Sequence, residues 1–114
     1  MSDCIFCKIA RGEIPTELLY ETEQVVAFND LAPQAPVHVL VIPRRHFSSL
    51  LDVAPDTDAI LAELQSAAIE IARTKGLDET GFRLVTNCLE DGGQSVSHLH
   101  LHLLGGRRMG WPPG

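Results

Sequence analysis

Ser97-His98-Leu99-His100-Leu101-His102-Leu103-Leu104 places three of the chain's five histidines on alternate positions of an otherwise apolar run. Alternation is the period of a β-strand, in which successive side chains face opposite sides. A strand over His98 to Leu104 is therefore expected to turn Leu99, Leu101 and Leu103 toward a core and the three histidines the other way. The plain alternative is a half-exposed strand whose polar face happens to be histidine, yet three imidazoles in five positions point to a shared task. A single metal ion cannot be that task for all three. Same-face neighbours repeat at about 6.6 Å, so the outer rings start roughly 13 Å apart, whereas zinc sits about 2.0 to 2.1 Å from each nitrogen ligand. His98 and His102 must have different partners.

Around this strand the pattern is mixed. Cys4 to Ala10 reads as a short helix that Ser2 or Asp3 can cap, closed by Gly12 and Pro15. Leu18 to Tyr20 and Val25 to Asn29 read as strands joined by a Glu-Thr-Glu turn, and Val37 to Ile42 as a third strand bracketed by prolines. Ile60, Leu61, Leu64, Ala67, Ala68 and Ile71 recur at helical spacing, predicting a long helix over Asp58 to Lys75 with Asp56 or Thr57 as cap and Gly76 as stop. Phe82 to Asn87 is a fourth strand, and the Gly- and Pro-rich tail from Gly105 is irregular. Five strands and one principal helix make an α+β domain with a mainly antiparallel sheet.

Length and composition exclude several classes. A chain of 114 residues allows a single domain, 1–114, and 45% hydrophobic with 21% charged residues is ordinary for a globular protein. No run approaches the roughly 20 apolar residues of a membrane span, so no membrane partner is expected. The N-terminus lacks the pattern of a signal peptide, and a cytoplasmic location is the default. Three cysteines, two of them in Cys4-Ile-Phe-Cys7, do not make a disulfide framework. A net charge of −6 disfavours nucleic acid as a partner while leaving a small anionic ligand open.

Three neutral imidazoles beside the loop Gly92-Gly93-Gln94-Ser95 suit phosphate chemistry. Glycine lets backbone approach a bulky anion, turn N–H groups cradle its oxygens, and neutral imidazole attacks phosphorus without a helper base. His98 to Leu104 resembles the signature of the histidine triad (HIT) family. Phe28-Asn29-Asp30, Pro33 to His38, Val41 to His46, Asp91 to Val96 and Trp111-Pro112-Pro113-Gly114 resemble that family's Hint branch of nucleotide-binding proteins.

The resemblance implies a HIT-like fold and a purine nucleoside phosphoramidase. In that pattern His100 attacks the α-phosphorus of an adenosine or guanosine 5′-phosphoramidate, a nucleotidyl-histidine forms, and water releases AMP or GMP. His102 contacts the phosphate, Ser95, Gln94 and the Gly93 backbone sit beside the phosphate and leaving group, and His38 assists proton transfer around His100. Asp30 and Leu31 hold the ribose and base, with Asn87 near the phosphate. Asp30 and Asn87 also suit turns, Ser95 a plain loop hydroxyl and His38 a core position. The family further implies a homodimer with joined sheets and a C-terminal tail near the partner's site, substrate preference varying around Arg108 and Gly110.

Cys4-x-x-Cys7 is half of a zinc motif by itself, and could equally be two small buried residues on a helix. A thioredoxin-like redox role lacks the βαβ context. Some family members close such a group with the histidine after the Ile-Pro segment and the first triad histidine, here His46 and His98, giving a structural zinc that the chemistry does not require. Cys88 has no assigned role. A dinucleoside polyphosphate hydrolase and a non-catalytic nucleotide-binding regulator are the competing functions. A nucleotidyltransferase of the galactose-1-phosphate type would carry proline in place of Leu99, and a DNA deadenylase would need a basic surface.

Overall fold

The computed structural model describes residues 4–114. Its elements are α1 (Ile5–Ala10), β1 (Tyr20–Glu21), β2 (Val25–Asn29), β3 (Val37–Pro43), α2 (Ala59–Thr74), α3 (Leu77–Thr80), β4 (Phe82–Val85) and β5 (Leu101–Gly105), with a 3-10 turn at Leu50–Asp52. The strands form one sheet in the order β1-β2-β3-β5-β4, and every neighbouring pair is antiparallel.

β2 and β3 are almost continuously apolar because both faces of the sheet are covered. Val25, Ala27, Val39, Val41, Leu101 and Leu103 face α2, whose Leu64, Ala67, Ala68 and Ile71 fill the main core. Val26, Phe28, Leu40 and Ile42 face the other way, onto Phe6 and Ile9 of α1. The guanidinium of Arg44 ties that helix to the β1–β2 hairpin. It donates to the carbonyls of Thr22 and Ala10, both at 2.8 Å, and to Glu21 at 3.0 Å.

The predicted elements are present with corrected edges. The fifth strand starts at Leu101, so His98 and His100 precede the ladder. The cause lies in β3, which pairs with β5 from Val37↔Gly105 to Val41↔Leu101 and then reaches Pro43, which has no N–H to continue the pairing. The chain before Leu101 peels away, and the Leu99 N–H bonds the Phe47 carbonyl at 2.7 Å. β1 is shifted to Tyr20–Glu21 because Thr22, not the whole Glu-Thr-Glu segment, makes the turn by accepting from the Gln24 and Val25 N–H groups. β4 ends at Val85, opposite His102.

The long helix begins at Ala59 with Asp58 as N-cap and no side-chain cap bond. Neither Asp56 nor Thr57 caps it; the Thr57 hydroxyl is spent on the backbone of Ala54. Gly76 stops it as expected, in the left-handed region at φ 76°, and α3 follows at once. α1 is capped by Cys4, whose Sγ accepts from the Cys7 N–H. The expected caps Ser2 and Asp3 lie outside the described residues. Among the described residues no helix is long and apolar enough to cross a membrane.

Candidate active site and metal group

Each histidine has a different set of partners, and those partners fix where its proton sits. His98 is wholly buried, and its Nε2 lies 2.9 Å from the Pro43 carbonyl. A carbonyl only accepts, so the proton is on Nε2 and Nδ1 presents a lone pair. That Nδ1 meets Cys4 Sγ at 3.2 Å and Cys7 Sγ at 3.5 Å. His100 has its Nδ1 2.7 Å from the backbone carbonyl of His98, which places the proton on Nδ1 and leaves Nε2 unprotonated. His38, on β3, accepts from the Gln34 N–H at Nδ1 over 3.0 Å, so its proton is on Nε2. That Nε2 lies 2.9 Å from His102 Nδ1 and 3.5 Å from Asp30 Oδ2. His102 therefore accepts at Nδ1 and carries its own proton on Nε2.

The alternation thus places two kinds of nitrogen side by side, with His100 and His102 ring centroids 5.0 Å apart. His100 offers an unprotonated Nε2 and His102 an N–H donor. Structure places His38 against His102 rather than His100, so any service of His38 to the nucleophile runs through His102. The alternative of a half-exposed strand with a polar histidine face does not hold for the first two rings. His98 and His100 are buried under α1, with Phe6 edge-on to both at 5.8 and 5.2 Å.

A cleft of about 570 Å³ opens in front of these rings. His100, His102 and Ser95 stand in its wall with Asp30 and the fully exposed Leu31, and Phe6, Ile9, Ile14, Phe28 and Leu40 make it mainly apolar. The contribution of α1 to this wall was not read from the sequence. Asp30 is partly engaged, Oδ1 accepting from the Ala32 N–H at 2.8 Å.

Asn87, Gly93 and Gln94 are not part of the cleft wall. They build the loop that presents Ser95. Asn87 Nδ2 donates to the Gly92 carbonyl at 2.6 Å, while Gln94 accepts from the Leu89 N–H and donates to the carbonyls of Ser48 and Val96. Gly92 is required there by close approach, since a Cβ would meet the Cys88 carbonyl oxygen at 2.4 Å.

Cys4, Cys7, His46 and His98 bring their four donor atoms within 4.8 Å of one another. His46 Nδ1 lies 3.3 Å from Cys7 Sγ. The set fits a tetrahedral Cys2His2 centre by an observation independent of spacing: the His98 ring is already fixed by Pro43 with its lone pair aimed at the sulfurs, the outer-shell arrangement a metal-bound imidazole needs. Asp30, His38 and His102 also gather within 4.8 Å. Gln34 commits His38 Nε2 as a donor, so this second group is a hydrogen-bond chain and not a metal site.

Burial holds both His98 and His102 down to about 4; for His102 the nearby His100 and His38 add to the effect. His102 is consequently neutral throughout the physiological range. Its folded-state value lies below the ordinary 6.5, so between those values the unfolded chain binds the extra proton, and stability must fall as pH drops from about 6.5 to about 4. The expected loss from His102 is up to about 3 kcal/mol. Urea denaturation as a function of pH checks this: His102→Asn should flatten that part of the profile, and an unchanged slope would contradict it.

A sequence model of the HIT domain matches residues 11–109. An uncharacterized HIT-like protein of Synechococcus elongatus is 50% identical over 112 residues, 98% of this chain and 97% of that protein. Among solved structures, a HIT family hydrolase of Legionella pneumophila superposes with a TM-score of 0.95 at 50% identity, covering 98% of this chain and 100% of the other. The histidine triad nucleotide-binding protein of Candida albicans does so with a TM-score of 0.83 at 34% identity, covering 96% and 83%. With the HIT domain matching residues 11–109 and relatives at 50% identity covering 98% of the chain, the chain belongs to the HIT family.

Proposed function

We propose that the protein is a purine nucleoside 5′-phosphoramidase of the Hint branch, hydrolysing adenosine or guanosine 5′-phosphoramidates to the 5′-monophosphate. The observation that carries this reading is the tautomer of His100, whose Nδ1–H is held by the His98 carbonyl at 2.7 Å while Nε2 stays free to attack. Nε2 bonds to phosphorus, the P–N bond breaks, and the departing amine takes a proton relayed from water by Ser95. The positive charge that develops on the His100 ring is stabilised by the carbonyl on Nδ1–H. His102 donates its Nε2–H to a non-bridging oxygen, and His38 with Gln34 keeps that proton in place. Water then attacks phosphorus and gives up a proton that replaces the one taken by the amine, the P–Nε2 bond breaks with its electron pair returning to Nε2, and the nucleotide leaves with its new oxygen.

Asp30 takes the ribose hydroxyls, Leu31 and the apolar wall the purine, and the Asn87-Gly93-Gln94 loop serves by presenting Ser95. The names of the Candida nucleotide-binding protein and the Legionella hydrolase support the same reading. The Cys4, Cys7, His46, His98 group would hold a structural zinc, which would pin α1 to the start of β5 without taking part in the reaction.

Adenosine 5′-phosphoramidate and a diadenosine polyphosphate, offered at equal concentration, separate the competing functions. Faster AMP release from the amidate is expected. Preference for the polyphosphate would favour the hydrolase of dinucleotides, and AMP binding with no turnover of either would leave a non-catalytic regulator.

A homodimer belongs to the same proposal. β4 is an edge strand with Phe82 exposed, Arg83 donates to the Gly110 carbonyl at 2.8 Å, and Trp111 is 84% exposed at the end of that tail. An exposed aromatic beside an unpaired edge suits burial against a second copy. Sedimentation equilibrium should return twice the chain mass, with Trp111→Ala weakening the association; a monomer at all concentrations would contradict it.

A further inference from the structure

Cys4 and Cys7 sit one helical turn apart, with the Cys7 N–H on Cys4 Sγ at 3.3 Å and both sulfurs within 4.8 Å of one another. Cys7 is buried, whereas Cys4 is half-buried and opens onto a second cleft of about 570 Å³. Cys4 shares that cleft with His46, Ser48, Ser95 and Ser97. A small oxidant entering it meets Cys4 first and finds Cys7 directly behind. Two thiols three residues apart on one turn fall within the reach of a disulfide, whose Cα atoms prefer about 5.5 to 6 Å.

We infer that the Cys4–Cys7 pair is an oxidative modification site, which a hydroperoxide converts to an intramolecular disulfide that withdraws the sulfur partners of His98. Cys4 sulfur attacks the peroxide, the O–O bond breaks, and Cys4 becomes a sulfenic acid with release of water or the corresponding alcohol. Cys7 sulfur then attacks the Cys4 sulfur, the S–O bond breaks, and water leaves. Two thiols are oxidised and one peroxide is reduced.

The disulfide removes two of the four donors of the metal group and leaves Nδ1 of a wholly buried His98 without its partners. An orphaned buried acceptor is costly, so the ring and its backbone must resettle. The carbonyl of that residue holds Nδ1–H of His100. Oxidation is thereby transmitted to the aim of the nucleophile over two residues of chain. The effect on turnover rests on the phosphoramidase reading; the disulfide and its effect on the His100 ring do not.

The test takes the full-length protein, reduced and then treated with hydrogen peroxide. Intact mass, peptide mapping and 15N signals of the His100 ring are followed alongside turnover of adenosine 5′-phosphoramidate. Expected are loss of two hydrogens, a Cys4–Cys7 cross-linked peptide, shifted His100 signals and turnover lowered at least about tenfold, all reversed by dithiothreitol. Cys88→Ser should respond identically, and Cys4→Ser should form no cross-link. Oxygen addition at Cys4 without a cross-link overturns the inference, as does a cross-link that leaves the His100 signals unchanged. Reduced protein with no turnover at all would count against the phosphoramidase reading, while mass and ring signals would still decide this one.

Discussion

His100→Ala should lower turnover of adenosine 5′-phosphoramidate by at least about 10⁴-fold, the scale on which removal of a covalent nucleophile registers. No neighbouring group can replace it. His102 presents an N–H to the cleft, His98 is closed off by Pro43 and the cysteines, and His38 is committed to His102. The substitution should leave the fold in place. It removes a ring packed edge-on against Phe6 and opens a small cavity, so a stability loss of about 1 to 3 kcal/mol is expected in urea. Binding of AMP should persist, because the apolar wall, Asp30 and His102 remain. Turnover within tenfold of wild type would remove His100 from the role given to it.

Cys7→Ser should have the largest effect on stability. Cys7 is buried and its sulfur lies within reach of both His46 and His98, so its loss opens a closed four-donor group at its centre. Binding energy of a structural metal is folding energy. Zinc content should fall from near one per chain toward zero, with the melting temperature lower by roughly 10 °C or more. Metal analysis and calorimetry on protein purified without chelator measure both. Metal-free wild-type protein melting at the same temperature as the variant would contradict the assignment of this group.

Much of this was legible in the sequence because the signals were local. The alternation in Ser97 to Leu104 placed Leu99, Leu101 and Leu103 in the core under α2, and the helical spacing of Ile60 to Ile71 located α2 within a residue at each end. The separation of His98 from His102 followed from strand geometry alone, and the structure gives the two residues different partners.

What the sequence concealed depends on backbone groups and on long-range closure. The Pro43 carbonyl that orients His98, the His98 carbonyl that orients His100 and the Gln34 N–H that orients His38 leave no mark in residue identity. The early departure of the chain from β3 depends on how Pro43 meets Leu99 across the sheet. Gln94 and Asn87 matched family positions near phosphate, yet their amides are spent on backbone groups, Asn87 on Gly92 and Gln94 on Leu89, Val96 and the more distant Ser48.

The central claim is covalent attack by His100. Protein mixed with adenosine 5′-phosphoramidate, quenched in denaturant within the first turnover and digested, should yield one peptide spanning residues 97–104 with an adenylyl group on His100. An adenylyl group found on another residue, or steady AMP release with the peptide unmodified at every quench time, would contradict it.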